Sequence, residues 1–120
     1  MRDWLRLVRL PNLATAAADS LAGYLVVSQM TTLDWPPAAC GLAVLASVFF
    51  YAAGVVLNDV CDVDLDRRER PERPLPSGTI AVRDAARVGG LLMTVAAAAA
   101  CGAAVVACSP WPAFVVAMLG

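Results

Sequence analysis

The chain has 120 residues, of which 60% are hydrophobic and 16% are charged, and its net charge is −1. This composition is typical of a membrane protein and not of an average soluble domain. The absence of histidine and of any CxxC cysteine pair argues against zinc sites and histidine-based catalysis, and the lack of excess basic charge argues against nucleic-acid binding.

The first long apolar run covers residues 13–30 and is just long enough to cross a hydrocarbon core about 30 Å thick. Because Arg2, Arg6 and Arg9 precede this run, a secretory signal peptide is an alternative interpretation. Pro11 and Asp19 lie where such a peptide should be apolar, so we favour a membrane span.

Two further runs predict membrane helices with less ambiguity. Residues 38–57 are almost wholly apolar, and residues 88–108 are rich in alanine and glycine, which favour close helix packing in lipid. Pro110 and Pro112 mark a turn, and a fourth apolar run begins at residue 113. We therefore predict an all-α, multi-spanning transmembrane helical bundle in which residues 1–120 form part of one domain, with three full spans and the start of a fourth.

A helix that ended inside the bilayer would leave backbone carbonyls unpaired. The chain is therefore expected to be the N-terminal part of a longer protein, or to need partner helices. Arginines precede the first span and recur between the second and third, whereas the loop at residues 31–37 has no basic residue. The positive-inside rule then predicts a cytoplasmic N-terminus and a cytoplasmic Asp/Arg loop. Abundant alanine and the use of arginine without lysine indicate a bacterial source, and hence a bacterial plasma membrane.

Residues 58–66 form a polar stretch, Asn-Asp-Val-Cys-Asp-Val-Asp-Leu-Asp, at the end of the second span. If the helix continues, one face carries Asn58, Asp59, Asp62 and Asp66. Clustered carboxylates repel one another, and the negative end of the helix dipole adds to that cost. A divalent cation would offset both effects, and Mg²⁺ binds carboxylate and phosphate oxygens. The stretch therefore predicts a site for Mg²⁺ and a diphosphate.

The stretch allows two other interpretations, an EF-hand and a solvated loop. An EF-hand requires glycine at its sixth position and glutamate at its twelfth, where this chain has Arg67 and Arg73, so that motif is excluded. A solvated cytoplasmic loop in which acids and arginines merely pair remains open. Asp64 lies off the shared face, either as a surface residue or because the helix is irregular there.

The segment 67–78 contains three prolines and a glycine, which predict a stiff, non-helical loop. Arginines on a stiff loop can bind phosphate oxygens in a bidentate manner. We favour that role for Arg73, between Pro71 and Pro74, whereas Arg83 and Arg87 are better explained as topology signals.

The pattern Asn58-Asp59-x-x-Asp62-x-x-x-Asp66, followed by Arg-Pro-Leu-Pro-Ser-Gly at residues 73–78, resembles the first aspartate-rich motif of the UbiA family of membrane prenyltransferases. The Arg-Leu-Pro-Asn run at residues 9–12 suits the family's N-terminus. The resemblance implies a UbiA-type fold, front part only, because residues 1–120 lack the family's second aspartate-rich motif. The loop lacks the lysine of many members and is most similar to the branch with chlorophyll synthases, archaeal ether-lipid prenyltransferases and UbiA-like secondary-metabolite proteins.

The resemblance implies transfer of an isoprenyl group from an isoprenyl diphosphate to a membrane-associated acceptor within the lipid bilayer, with Mg²⁺ as cofactor. It implies catalytic roles for Asp59 and Asp62, and the metal ligands would be Asn58, Asp59, Asp62 and Asp66. Arg73 and Arg70 would bind the diphosphate. The alternative is a catalytically inactive UbiA-like membrane protein acting in lipid or metabolite transport or assembly.

The resemblance also suggests cavity residues, namely Asn12, Asp19 and Tyr51, with Phe50 beside them. Asp19 has two interpretations of equal weight. An ionisable residue inside a membrane span is by default a site residue. It could instead snorkel, or form a hydrogen bond between helices, near the cytoplasmic end of the first span.

Overall fold

The computed structural model describes residues 2–30 and 36–107. This part of the chain is built from α-helices and contains no strand, which confirms the predicted all-α class. The five helices are α1 (Arg2–Leu7), α2 (Leu10–Met30), α3 (Pro37–Cys61), α4 (Val63–Glu69) and α5 (Val82–Val106). The predicted fourth span, from residue 113 onward, lies outside the described residues.

Two helices in the described part, α3 and α5, are long and apolar enough to cross a membrane. Each has 25 residues, and at 1.5 Å per residue such a helix exceeds the roughly 30 Å hydrocarbon core. Only 22% and 28% of their apolar windows are buried inside the structure, whereas the core helix of a soluble protein would be mostly buried. These outward apolar surfaces suit lipid or neighbouring helices.

The predicted spans agree with the helices in position but not at every end. The first run, 13–30, lies within α2, yet α2 is not among the helices apolar enough to qualify, so its crossing of the membrane stays a prediction. The predicted span 38–57 continues to Cys61, and the span predicted to begin at residue 88 begins at Val82. In both cases the helix continues beyond the apolar run into polar residues. The end of an apolar run therefore does not show where the helix ends.

Helix α5 packs along α3, and α2 packs on the same helix. Most buried residues of α3 and α5 are alanines, and Gly89 of α5 lies close to Leu57 of α3. A Cβ atom built on Gly89 would lie 2.7 Å from Cδ2 and 2.8 Å from Cγ of Leu57. Small residues therefore let the two helices approach closely, as the composition of α5 indicates.

The loop between α4 and α5 folds back onto the helices. Leu75 and Ile80 are buried in a cluster with Val56 and Ala85, to which α1 adds Leu7. The turn is closed by backbone N–H groups of residues 77, 78 and 80, which donate to the carbonyls of residues 73, 75 and 74. Gly78 has φ +76°, a left-handed conformation that glycine adopts without a Cβ penalty. The predicted stiff loop is therefore anchored by its own apolar residues.

Candidate active site

The polar stretch continues the path of α3 through a single irregular residue. Asp62, with φ −90° and ψ 5°, separates α3 from α4. The Asp62 N–H nevertheless donates to the Asn58 carbonyl, and the Asp66 N–H donates to the Asp62 carbonyl. Helical hydrogen bonding is therefore kept across the junction, so residues 58–66 retain helical spacing.

The four predicted metal ligands separate into two pairs. Asp59 and Asp66 are buried, with 7% and 6% of their surface exposed. Asn58 and Asp62 are exposed, and the Asn58 amide donates a 2.9 Å hydrogen bond to Oδ2 of Asp62. At about 100° per residue the four side chains span an arc of about 100°, with one pair at each edge. They share one face, but the buried edge lies against the loop.

Arg73 joins the buried pair to the loop. Its Nη1 atom lies 2.6 Å from Oδ2 of Asp66 and 3.7 Å from Oδ1 of Asp59. The hydrogen bond with Asp66 raises the pKa of the Arg73 guanidinium, which therefore stays charged. Arg70 is different, because it lies exposed at the end of α4 and pairs with no acid in the described part of the chain.

Arg9 contacts the polar stretch, which the sequence pattern does not predict. Its Nη2 atom lies 3.3 Å from Oδ1 of Asp59, although fifty positions separate the two residues. The sequence predicts for Arg9 only a topology signal and a place in the Arg-Leu-Pro-Asn run. Its positive φ of 53° is not visible in the sequence.

Two other ion pairs lie away from this network. Asp64 pairs with Arg67 at 2.7 Å, and the Asp64 side chain is 87% exposed. The structure therefore supports Asp64 as a surface residue, and it also shows an irregular helix nearby, at Asp62. Arg87 pairs with Asp84 at 3.6 Å on the exposed side of α5.

The predicted cavity residues lie together between α2 and α3. Asn12, Asp19 and Tyr51 line a cavity of about 460 Å³, along with Thr15, Ala16 and Ser47. The Asn12 amide donates a 2.9 Å hydrogen bond to the Tyr51 hydroxyl, and the Ser47 hydroxyl donates to the Ala16 carbonyl at 3.2 Å. Asp19 faces this cavity and is exposed, and its role in binding stays a prediction.

A second cavity, of about 300 Å³, continues from Tyr51 toward the acidic stretch. It is lined by Arg9, Phe50, Tyr51, Gly54, Val55 and Asn58. Tyr51 belongs to both cavities, so one continuous side of α3 leads from the polar residues of α2 to the acidic end. An elongated ligand with a charged head could lie along this side.

The donor set is compatible with Mg²⁺, although no metal cluster is preformed. Among residues 2–30 and 36–107, no three His, Cys, Asp or Glu side chains are grouped to hold a metal ion. Two carboxylates, Asp59 and Asp66, do converge on a single guanidinium nitrogen. Mg²⁺ commonly uses one or two carboxylates together with substrate phosphates and water. The oxygen chemistry therefore fits, and the Mg²⁺ site stays a prediction.

Comparison with known proteins adds an independent line of evidence. Residues 17–120 match the sequence profile described as the UbiA prenyltransferase family. A digeranylgeranylglyceryl phosphate synthase of Metallosphaera sedula is 40% identical over 95 residues, which cover 79% of this chain and 32% of the relative. The synthase of the same name from Methanocaldococcus jannaschii is 36% identical over 94 residues, covering 78% and 32%.

A third relative of that name, from Sulfolobus acidocaldarius, is 37% identical over 95 residues, covering 79% of this chain and 33% of the relative. The chain thus spans about a third of the length of these curated relatives. They are archaeal, so they give no support to the predicted bacterial source. No solved structure matches the chain. With its apolar helices α3 and α5 and the family match over residues 17–120, the chain is an integral membrane protein that belongs to the UbiA prenyltransferase family.

Proposed function

We propose that the protein transfers an isoprenyl group from an isoprenyl diphosphate to an acceptor in the membrane, in a reaction that depends on Mg²⁺. The observation that carries this proposal is the convergence of the Asp59 and Asp66 carboxylates on Arg73 at the end of a membrane-spanning helix. Buried acids beside a cationic loop suit a metal ion and a diphosphate better than they suit a solvated surface.

The donor's diphosphate would lie between the acidic end of α3 and the loop. Arg73 and Arg70 would donate hydrogen bonds to its oxygens, and Asp59, Asp62 and Asp66 would hold Mg²⁺. Asn58, which donates to Oδ2 of Asp62, would keep that carboxylate oriented. When bound, Mg²⁺ supplies neutralisation of the charge that develops on the leaving diphosphate.

The reaction breaks the bond between the allylic carbon and the diphosphate oxygen. An acceptor oxygen forms a new bond to that carbon, and the acceptor's hydroxyl proton passes to an oxygen of the departing diphosphate. Phe50 and Tyr51 line the cavity next to the acidic end and would exclude water from the allylic cation. The diphosphate departs toward the arginines, away from the apolar interior.

The acceptor proposed here is a hydroxyl-bearing glyceryl phosphate lipid. The relatives are named for digeranylgeranylglyceryl phosphate, a glyceryl phosphate that carries geranylgeranyl groups. The cavity lined by Asn12, Thr15, Asp19, Ser47 and Tyr51 supports this class, because its hydroxyl, amide and carboxylate groups suit hydrogen bonds with an alcohol.

The acidic end of α3 is proposed to face the cytoplasm. The contact of Arg9 with Asp59 supports this orientation, because it places the arginine-rich N-terminus and the loop at the same end of the bundle. The positive-inside rule assigns that end to the cytoplasm, where soluble diphosphates are found.

One observation favours the second candidate, a UbiA-like membrane protein without transferase activity. Arg9 and Arg73 already neutralise Asp59 and Asp66, so the network would be stable as a structural set of ion pairs without a metal. In that case the acids would support folding but no prenyl transfer would occur.

The two candidates are separated by an assay of diphosphate release. The protein expressed from its complete reading frame is incubated with geranylgeranyl diphosphate, a glyceryl phosphate lipid and increasing Mg²⁺. Asp59→Asn and Asp62→Asn should each abolish release while the protein stays folded. Asp64→Asn is the matched control and should leave release unchanged, since within residues 2–30 and 36–107 Asp64 pairs only with the exposed Arg67. The proposal is refuted if diphosphate release does not depend on Mg²⁺, or if neither Asp59→Asn nor Asp62→Asn reduces it.

A further inference from the structure

Arg9 lies at the junction of α1 and α2 in a backbone conformation that residues with a Cβ atom rarely adopt. Its φ is 53°, in the left-handed region where non-glycine residues carry strain. The conformation is held from both sides, since the Val8 N–H donates to the Trp4 carbonyl and the Asn12 N–H donates to the Arg9 carbonyl. Strain of this kind persists only where the surrounding structure enforces it.

The segment before Arg9 is fixed by apolar packing. Leu7 is 2% exposed and belongs to the same buried cluster as Leu75 and Ile80 of the loop. Trp4 and Val8 pack against that cluster. The cluster thus holds α1 and the Arg73 loop together, and Arg9 reaches the Asp59 carboxylate from fifty positions earlier in the sequence.

Asp59 therefore has two cationic neighbours, Arg9 at 3.3 Å and Arg73 at 3.7 Å, and both contact the same oxygen, Oδ1. Asp66 is held more tightly, with Arg73 at 2.6 Å. A cation that is to bind Asp59 must compete with two guanidinium groups for one carboxylate. A diphosphate changes this balance, because its oxygens offer arginine better partners than one carboxylate oxygen does.

We propose that Arg9 is a positioning residue that makes cation binding at Asp59 depend on the diphosphate. Without a diphosphate, Arg9 occupies Asp59 and keeps its affinity for divalent cations low. With a diphosphate present, Arg9 turns to a phosphate oxygen and Asp59 becomes a metal ligand. This inference rests on the proposed function, and it assigns Arg9 a role in the order in which metal and diphosphate bind.

The test measures Mn²⁺ binding by the detergent-solubilised protein, expressed from its complete reading frame, with no diphosphate and no turnover. Free Mn²⁺ is followed by electron paramagnetic resonance. Arg9→Gln should bind Mn²⁺ about tenfold more tightly than the unmodified protein, within the usual range of coupling between sites. Arg9→Lys, which keeps the charge, should lie between the two. Arg87→Gln, on the exposed side of α5, should not change Mn²⁺ binding.

Two further arms link the effect to Asp59 and to phosphate. In an Asp59→Asn background, Arg9→Gln should no longer raise Mn²⁺ affinity. Retention of radiolabelled pyrophosphate without metal should be weaker in Arg9→Gln than in the unmodified protein.

The inference is overturned if Arg9→Gln binds Mn²⁺ no more tightly than the unmodified protein, or if Arg87→Gln has the same effect. If Arg9→Gln does not fold, an Mn²⁺ affinity of Arg9→Lys equal to that of the unmodified protein, both measured without pyrophosphate, would also overturn the inference. These failures are distinct from failure of the proposed function, which would appear as unchanged diphosphate release in Asp59→Asn.

Discussion

The Arg73 guanidinium donates a 2.6 Å hydrogen bond to Oδ2 of Asp66, and this bond ties the proline-rich loop to the acidic end of the α3–α4 segment. Asp66 is 6% exposed, so the bond is shielded from water on the acid's side. Charge-assisted hydrogen bonds are shorter and stronger than neutral ones. The loop arginine is therefore held in place without a substrate, which would lower the entropy cost of the proposed diphosphate binding.

The two arginines assigned to the diphosphate should differ in importance. Arg73→Gln removes a fixed, partly buried guanidinium, and we expect kcat/KM for the isoprenyl diphosphate to fall about 10- to 100-fold, the scale of a lost charged hydrogen bond. Arg70→Gln removes an exposed side chain with no acidic partner in the described residues and should cost several-fold less. Steady-state kinetics with varied donor concentration measure both. Equal losses in the two variants would contradict the ranking, and Arg83→Gln serves as an unaffected control.

Gly78 should be required for the shape of the loop. Gly78→Ala places a Cβ on a residue with φ +76°, and nothing lies within 4 Å of that atom, so the cost is conformational and not steric. We expect a loss of about 1–2 kcal/mol, measured by thermal unfolding in detergent. Gly90→Ala is the matched control, since its Cβ also meets nothing within 4 Å. That change, inside α5, should stabilise the protein by about 0.5–1 kcal/mol. A destabilisation of similar size in both variants would contradict the backbone argument.

Gly89 should be required for the contact between α3 and α5. A Cβ on Gly89 would lie 2.8 Å from Cγ of Leu57, so Gly89→Ala must move that side chain or separate the helices. Overpacking of this kind typically costs about 1–3 kcal/mol. The adjacent Gly90→Ala should show no such loss. Adding Leu57→Ala to Gly89→Ala should recover part of the lost stability. If the destabilisations of the two single variants simply add in the double variant, the two residues are not in close contact.

The hydrogen bond between Asn12 and Tyr51 should matter more for binding of the prenyl acceptor than for binding of the isoprenyl diphosphate. Tyr51→Phe keeps the ring and removes the hydroxyl that accepts the 2.9 Å bond from Asn12. A single bond of this kind contributes about 1 kcal/mol, so the KM for the acceptor should rise about fivefold. The KM for the isoprenyl diphosphate should change less than twofold. A double-mutant cycle that combines Tyr51→Phe with Asn12→Ala should show coupling between the two residues. If the KM of Tyr51→Phe for the prenyl acceptor equals that of the unmodified protein, the pair does not belong to the acceptor site.

Local sequence patterns were sufficient to predict the main helices and the helical spacing of the polar stretch. The apolar runs at 38–57 and 88–108 lie within α3 and largely within α5, because a helix that crosses lipid must be apolar over about 20 residues. The helical spacing of Asn58, Asp59, Asp62 and Asp66 followed from 3.6 residues per turn, which needs no knowledge of neighbouring helices. The early start of α5 at Val82 was missed, because Arg83 and Arg87 are polar yet helical.

The sequence by itself therefore determined that this is an α-helical membrane protein with an acidic helix end and a stiff basic loop. Only the tertiary structure decided which of these charges meet. Packing of the loop through Leu75 and Ile80 brings Arg73 to Asp59 and Asp66, and packing of α1 through Leu7 brings Arg9 to Asp59. These contacts join residues up to fifty positions apart. Such pairs depend on how the helices and the loop pack, and that packing is a property of the whole bundle, not of any local spacing.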